Sequence, residues 1–229
     1  MLTVYFAQHG TLIGWARNRE SIPFDPDADV DILPTCAARL RSWLRARKRV
    51  SGPVVAGSDD QPCHWHYDVG GGFTMEQWTG RGQHLQYRLV DRASGVFTDV
   101  MELLKVKPAE LPPEAELQRL ERADLLHSRP PQEQVAKEAV VWTLKATMNK
   151  LWGGNIYLPR DLLPLKNSTL NGVPIWVPRD VDTVLVREFP HYKRPPQPYG
   201  FDEGTRCYFH VPTGSHLVGY QAHAAELPG

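Results

Sequence analysis

HGTLIGWAR, His9 to Arg17, is followed after a short polar link by IPFDPDADVDI, Ile22 to Ile32, and this pair of blocks decides how the chain reads. A small-residue turn opens a helix, and acids at alternate positions then run into an apolar strand. Asp27 and Asp29 are two apart, so on a strand they point to one face. Two carboxylates converging on one face repel each other unless a cation sits between them. Hard oxygen ligands suit magnesium or manganese. The pattern points to metal-dependent phosphate chemistry.

Two blander readings compete with it. An Asp-rich run is ordinarily a solvated loop. A calcium loop is also suggested, because Asp25, Asp27, Asp29 and Asp31 copy the 1, 3, 5 and 7 positions of an EF-hand. That reading fails where the turn glycine should be, at Val30, and where the bidentate Glu should be, at Cys36. Val30, Ile32 and Leu33 give the segment strand character. On this reading Asp25 shapes the approach to the site, and Asp31 is an auxiliary or solvated acid.

Working outward, Thr11 is expected to cap a short helix, Leu12 to Arg17, and Gly10 allows close backbone approach before it. The free amides of such a helix start favour an anion such as phosphate. A strand is expected over Asp29 to Leu33, then an amphipathic helix over Thr35 to Lys48 with Ala38, Leu40, Trp43 and Leu44 apolar among its arginines. Pro53 to Ala56 is a short strand signal. His64 to Val69 and His84 to Val90 follow, separated by a Gly-rich connection through Gly70, Gly71, Gly72, Gly80 and Gly82. The turn Asp91-Arg92-Ala93-Ser94-Gly95 joins a third strand, Val96 to Leu103, in an antiparallel hairpin. Helices are expected over Glu114 to Leu126 and, beyond Pro130 and Pro131, over Gln132 to Leu151, the latter stopped by Gly153 and Gly154. The remainder reads as loop-rich, with a helix near Asp180 to Glu188 and a frayed tail over the last dozen residues.

With 229 residues the chain can bury a proper core as one domain, or one with an appended subdomain. Its formal charge is zero, so no basic field argues for nucleic acid. Cys36, Cys63 and Cys207 are odd in number and far apart, which excludes a disulfide framework. No apolar run is long enough to span a membrane, and Met1 to Ala7 is too short and uncharged for a signal peptide. The chain as given is therefore expected to be soluble.

A two-carboxylate site is commonly completed by a third acid from a neighbouring strand. Asp99, within VFTDVME, is the best candidate, because a charge flanked by apolar strand residues is expensive unless paired or metal-bound. Glu102 faces the opposite side of an ideal strand and is the weaker choice. Cys63, His64 and His66 suggest zinc but lack a visible second half. Asp91 either belongs to the site with Arg88 or simply shapes its turn. Lys166 is a candidate phosphate contact, and His9 reads as a packed or turn histidine more than as a catalytic base. Most of the tryptophans are expected in the core.

These blocks carry a family resemblance. HGTLIGWAR, IPFDPDADVDI and YRLVDRASGVFTDV (Tyr87 to Val100) together resemble the LicD/fukutin family of phosphotransferases, and DLLPLKNSTLNGVPIWVP (Asp161 to Pro178) is similar to that family's segment after the core. The resemblance runs in order from about His9 to about Phe189. The wording of the YRLVDRASG block is closest to fungal-type members linked to mannosylphosphorylation.

The resemblance implies an α+β, nucleotidyltransferase-like fold with a mixed or antiparallel sheet flanked by helices. Residues 1–104 would form the catalytic core, and 105–229 a helical, loop-rich extension completing the same domain. It implies transfer of a phospho-alcohol or phospho-sugar from a nucleotide-diphosphate donor, CDP- or GDP-linked, to a glycan hydroxyl. Asp27, Asp29 and Asp99 would hold Mg2+ or Mn2+. Asp99 is also a candidate proton acceptor. Gly10 and Thr11 would present amides to phosphate, and Arg17, Arg88 and Lys166 would contact phosphate or substrate.

The family's usual helix ahead of the HGT block, and the membrane anchor of its eukaryotic members, have no counterpart in this sequence. The expected location is the Golgi or secretory lumen if an anchor lies upstream, and otherwise the cytoplasm. Two rival readings stay open: a non-catalytic regulator of mannosylphosphate transfer, and a true nucleotidyltransferase.

Overall fold

In a computed structural model the structure describes residues 5–47, 49–51, 63–79, 87–123, 126–144, 148, 154–195, 198–202, 204–205, 207–211 and 215–217. The first half contains β1 (Tyr5–Ala7), α1 (His9–Asn18), β2 (Asp27–Ile32), α2 (Pro34–Arg45), β3 (Arg49–Ser51), β4 (Cys63–Gly70), β5 (Phe73–Thr79), β6 (Tyr87–Asp91) and β7 (Phe97–Val106). The second contains α3 (Glu114–Arg122), β8 (Leu126–Ser128), α4 (Gln132–Val135), β9 (Val141–Leu144), β10 (Gly154–Tyr157) and α5 (Pro159–Leu162). It ends with β11 (Lys166–Leu170), β12 (Val173–Val177), α6 (Val181–Glu188), β13 (Tyr199–Asp202), β14 (Cys207–His210) and β15 (Ser215–Leu217).

A mixed sheet organises the molecule. Strands β3 to β7 run side by side in sequence order, then β9, β10 and β8 extend the sheet; β2 also pairs with β7, and β1 with β2. The β2–β7 and β8–β10 pairings are parallel and the others antiparallel. Strand β7 is the hub. Its first half lies between β6 and β2, and its second half pairs with β9.

Alternation along these strands separates two faces. Val30 and Ile32 of β2 and Val100 of β7 pack with Cys36, Ala37 and Leu44 of α2. Met101 and Leu103 point the other way, into a core with Leu12 and Ile13 of α1 and Val184 and Leu185 of α6. Asp27, Asp29, Asp31 and Asp99 share that second face by parity. A third cluster joins Leu117 and Leu120 of α3 to Val141, Ile156 and Leu158. The mixed sheet flanked by helices is the expected α+β class. Among the described residues no helix is long and apolar enough to cross a membrane.

Several element assignments are corrected. Phe73–Thr79 is a strand, β5, paired on both sides, and not part of a Gly-rich connection. Gly70, Gly71 and Gly72 all have positive φ and form only the tight β4–β5 turn. The helix expected over Gln132 to Leu151 stops at Val135. Val140, Val141, Trp142 and Thr143 are β-branched or aromatic, and 141–144 become β9. The helix expected to Leu126 ends at Arg122, and Leu126–Ser128 is β8. The supposedly loop-rich remainder contains a β11–β12 hairpin and a three-stranded sheet of β13 to β15. Its helix is as expected, with the Asp180 carboxylate capping α6 by accepting from Thr183 N at 3.0 Å. The strand expected at Pro53 to Ala56 and the frayed tail fall outside the described residues.

Candidate metal centre

The start of α1 is stitched to β2. Gln8 N donates to Asp29 O at 3.1 Å, and Asp29 N donates to the Thr11 hydroxyl at 2.7 Å. Thr11 is thus inside the helix, buried, and is not its cap. The helix runs from His9, with Gln8 before it in extended backbone, so the expected start at Leu12 is corrected by three residues. The first amides of a helix have no partner within it, which leaves Gly10 and Thr11 at an end that attracts anions.

Gly10 is required there by space. A Cβ on it would stand 2.1 Å from Asp25 Oδ2 and 3.7 Å from Asp29 Oδ2. The helix start is pressed against the acids themselves, and a side chain at position 10 would push the Asp25 carboxylate aside.

Asp29 of β2 stands directly across from Asp99 of β7 in the parallel register. Asp27, Asp29 and Asp99 each bring one oxygen to within 4.8 Å of the others, the one such group among the described residues. Strand pairing explains how acids some seventy positions apart meet. The electrostatics follow from crowding: burial, opposed by His9 and reinforced by Asp27, Asp99 and Glu188, pushes Asp29 up to about 6. Burial and the hydrogen-bonded Asp27 push Asp25 up to about 7. Three hard carboxylates in this spacing fit a divalent cation.

Arg88 lies across β6–β7 from Asp99 and grips it bidentately, Nε to Oδ1 at 2.6 Å and Nη2 to Oδ2 at 2.9 Å. Its guanidinium also stacks on Phe97, 3.8 Å from the ring centre. The Asp99 hydrogen bonds hold its pKa above the ordinary arginine value. Two bonds from Arg88 do not exhaust a carboxylate, which has about four lone-pair sites.

Other expected residues lie elsewhere. Arg17 is 5 % exposed and donates to Tyr192 O, through Nε at 2.7 Å and also through Nη2, and to the Tyr208 hydroxyl at 3.2 Å. Seven residues beyond Gly10 it is about 10 Å further along the helix axis, so its role as a phosphate clamp is corrected to one in the core. Lys166 begins β11, exposed and opposite Val177, with Asp180 in its field, and lies on that hairpin rather than on β2 or β7. Asp91 shapes its turn, accepting from Ala93 N at 3.0 Å and Ser94 Oγ at 2.8 Å. Glu102 turns away from Asp99, as expected, and pairs with Arg41 at 2.5 Å. His66 lies 3.7 Å from Glu76 across β4–β5. The side chains of Cys63 and His64 fall outside the described residues.

Asp31 is corrected as well. It is fully buried, and burial, with Glu188 and Asp29 nearby and His9 opposing, pushes it up to about 8. It belongs to a polar cluster that sequence reasoning missed. His9 Nδ1 is ion-paired with Glu188, which also accepts from Asn155 Nδ2 at 3.0 Å. Glu188 and the charge on Asp29 and Asp31 outweigh burial and push His9 up to about 10. One signal was present: Val184, Leu185 and Glu188 follow helical spacing, which places the Glu on the apolar face.

Residues 3–115 match the family model for the LicD/FKTN/FKRP nucleotidyltransferase domain. A search of curated proteins gives no match. The matched segment contains the helix start, Asp27, Asp29, Arg88 and Asp99, and leaves out Lys166 and Glu188. The family is generally metal-dependent and suggests a phosphotransferase-type role in glycan modification. Its domain and the split aspartate site coincide, and residues 3–115 of the chain match the LicD/FKTN/FKRP family's nucleotidyltransferase domain, which supports membership of that family.

Proposed function

We propose that the protein is a metal-dependent phosphotransferase that moves a phospho-alcohol or phospho-sugar from a nucleotide-diphosphate donor to a glycan hydroxyl. The observation that carries this reading is the meeting of Asp27, Asp29 and Asp99 beside the amino end of α1. The three acids would hold Mg2+ or Mn2+, which when bound neutralises the donor diphosphate and stabilises the nucleotide leaving group. The Gly10 and Thr11 amides receive phosphate oxygen, the work of a helix start. Asp25, packed on Gly10, must give way or take up a proton when phosphate arrives there.

Arg88 fixes the carboxylate plane of Asp99 and places a positive charge beside the transferred group. With both oxygens engaged, Asp99 is suited to be a ligand rather than the proton acceptor.

The test is to incubate the protein with Mn2+ or Mg2+, a glycan acceptor and a panel of CDP- and GDP-linked donors. Release of the nucleoside monophosphate with a phosphodiester on the acceptor is expected. Pyrophosphate release from a nucleoside triphosphate would favour nucleotidyl transfer instead. Metal binding without turnover on any donor would favour the regulator. Mn2+ binding that survives replacement of both Asp27 and Asp29 by Asn would refute the site.

A further inference from the structure

Helix α1 begins on a strained residue. His9 has a φ of +46°, in the left-handed region that a side chain seldom adopts, and it is the joint between two anchors of the site. Just before it, Gln8 N is bonded to Asp29 O. Just after it come Gly10, packed on Asp25, and Thr11, bonded to Asp29 N. A rotation of the His9 backbone therefore swings the Gly10 and Thr11 amides relative to the three acids. Such a conformation persists where the surroundings hold it.

The hold comes from the other half of the chain. Glu188, in the last turn of α6, has a fully buried side chain whose Oε1 accepts from His9 Nδ1. The same oxygen accepts from Asn155 Nδ2 of β10 at 3.0 Å, and the Asn155 carbonyl accepts from Thr143 Oγ1 of β9 at 2.7 Å. Phe189, next in sequence, meets the imidazole edge-on with ring centres 6.4 Å apart. Strand β9 pairs with the second half of β7, whose first half carries Asp99. The links close a loop from Asp99 through β7, β9, β10 and Glu188 to His9, and back to Asp29 through the helix start. An Nδ1–H donates to a carboxylate in the neutral imidazole as in the cation, so this brace does not depend on the charge of His9. The aspartate set includes none of Glu188, Asn155 and Thr143.

We infer that Glu188 is a positioning residue: with Asn155 behind it, it holds His9 and so fixes the Gly10 and Thr11 amides where they receive phosphate beside the metal. This rests on the phosphotransferase reading. Residues 3–115 then contain the groups that meet metal and phosphate, while the brace that aims the helix start lies outside them.

The experiment uses the full chain carrying Glu188→Ala, Glu188→Gln, His9→Asn, or Glu188→Ala with His9→Asn. Asparagine tolerates a positive φ but is too short to reach Glu188. Calorimetry measures Mn2+ binding, then binding of inorganic pyrophosphate to the Mn2+-loaded protein, and kinetics follow on any active donor. In Glu188→Ala, Mn2+ affinity should stay within about twofold of wild type, while pyrophosphate binds about tenfold more weakly and kcat/KM falls about 10–100-fold. Glu188→Gln, whose amide oxygen still accepts from the imidazole, should recover most of both. His9→Asn should match Glu188→Ala, and the double variant should be no worse than either. A thermal melt shows which variants are folded at the assay temperature; if Glu188→Ala is not, Glu188→Gln and His9→Asn decide. Pyrophosphate binding unchanged in folded Glu188→Ala or His9→Asn, an equal loss of Mn2+ affinity, additive losses, or a Mn2+-loaded wild type that takes no pyrophosphate would overturn the inference. Absence of turnover on every donor would count against the phosphotransferase reading, and the pyrophosphate comparison would still decide the role of Glu188.

Discussion

Asp29→Asn in the metal-free protein exchanges a crowded carboxylate for a neutral group of the same shape. Asp29 has its pKa raised from 3.8 to about 6, so the folded state holds the proton more tightly than the unfolded chain. The stabilisation from that proton is complete below about pH 4 and is lost as pH rises through 6. Above that, ionised Asp29 burdens the fold by up to about 3 kcal/mol, at 1.36 kcal/mol for each tenfold change in acidity. Solvent screening brings the expected effect to roughly 1–3 kcal/mol. At pH 8 the variant should melt roughly 2–12 °C above wild type, at about 2–4 °C per kcal/mol for a chain of this size. At pH 4 the gain should be near zero. Adding Mn2+ at pH 8 should stabilise wild type and leave the variant unmoved, reversing their order. Differential scanning fluorimetry at the two pH values, with and without Mn2+, reads all four numbers. A variant less stable than wild type at pH 8, or equally stabilised at pH 4, would refute the crowding argument.

Three other outcomes are expected. Gly10→Ala should keep the fold to within about 1 kcal/mol, because the flexible Asp25 carboxylate can retreat, while kcat/KM falls about 10–100-fold as the acids are displaced; steady-state kinetics beside a thermal melt measure both. Arg88→Gln should bind Mn2+ several-fold tighter by calorimetry, since a positive neighbour is gone, yet turn over about 10–100-fold more slowly. Arg17→Lys should cost about 1–3 kcal/mol in urea unfolding, because an ammonium cannot reproduce the fork that reaches both Tyr192 and Tyr208, and should leave Mn2+ affinity unchanged.

What was legible in the sequence was the part written in alternation. Asp27 and Asp29 beside Val30 and Ile32 announce a strand with one acidic and one apolar face, and Asp99 within Val96 to Met101 announces its partner. Glu102 could be set aside by parity alone. Pairing across distance was less legible. Val140 to Thr143 have the residues of a strand, but the helical window that starts at Gln132 obscured them, and only the open edge of β7 makes β9 necessary. Glycines misled in the same way: a run that serves as a two-strand turn read as a long connection. Charges misled most. Arg17 and Asp31 were read as facing substrate or solvent because arginine and aspartate ordinarily do. Their burial depends on Tyr192, Tyr208, His9 and Glu188, and no local pattern places those residues beside them.

The same long-range partnerships impose an order on how the molecule is made. Every acid of the triad, and Arg88, is already in the chain once residue 99 is synthesised. Arg17 must still wait for Tyr192, 175 positions later, and His9 for Glu188. At about 5–20 residues per second that is a delay of roughly 10–35 s. Throughout it Arg17 and His9 lack their partners, and for most of it the sheet lacks β9 and β10. The nascent chain therefore holds its chemical residues long before it can hold them still. A stretch made much later, outside residues 3–115, closes the core around them.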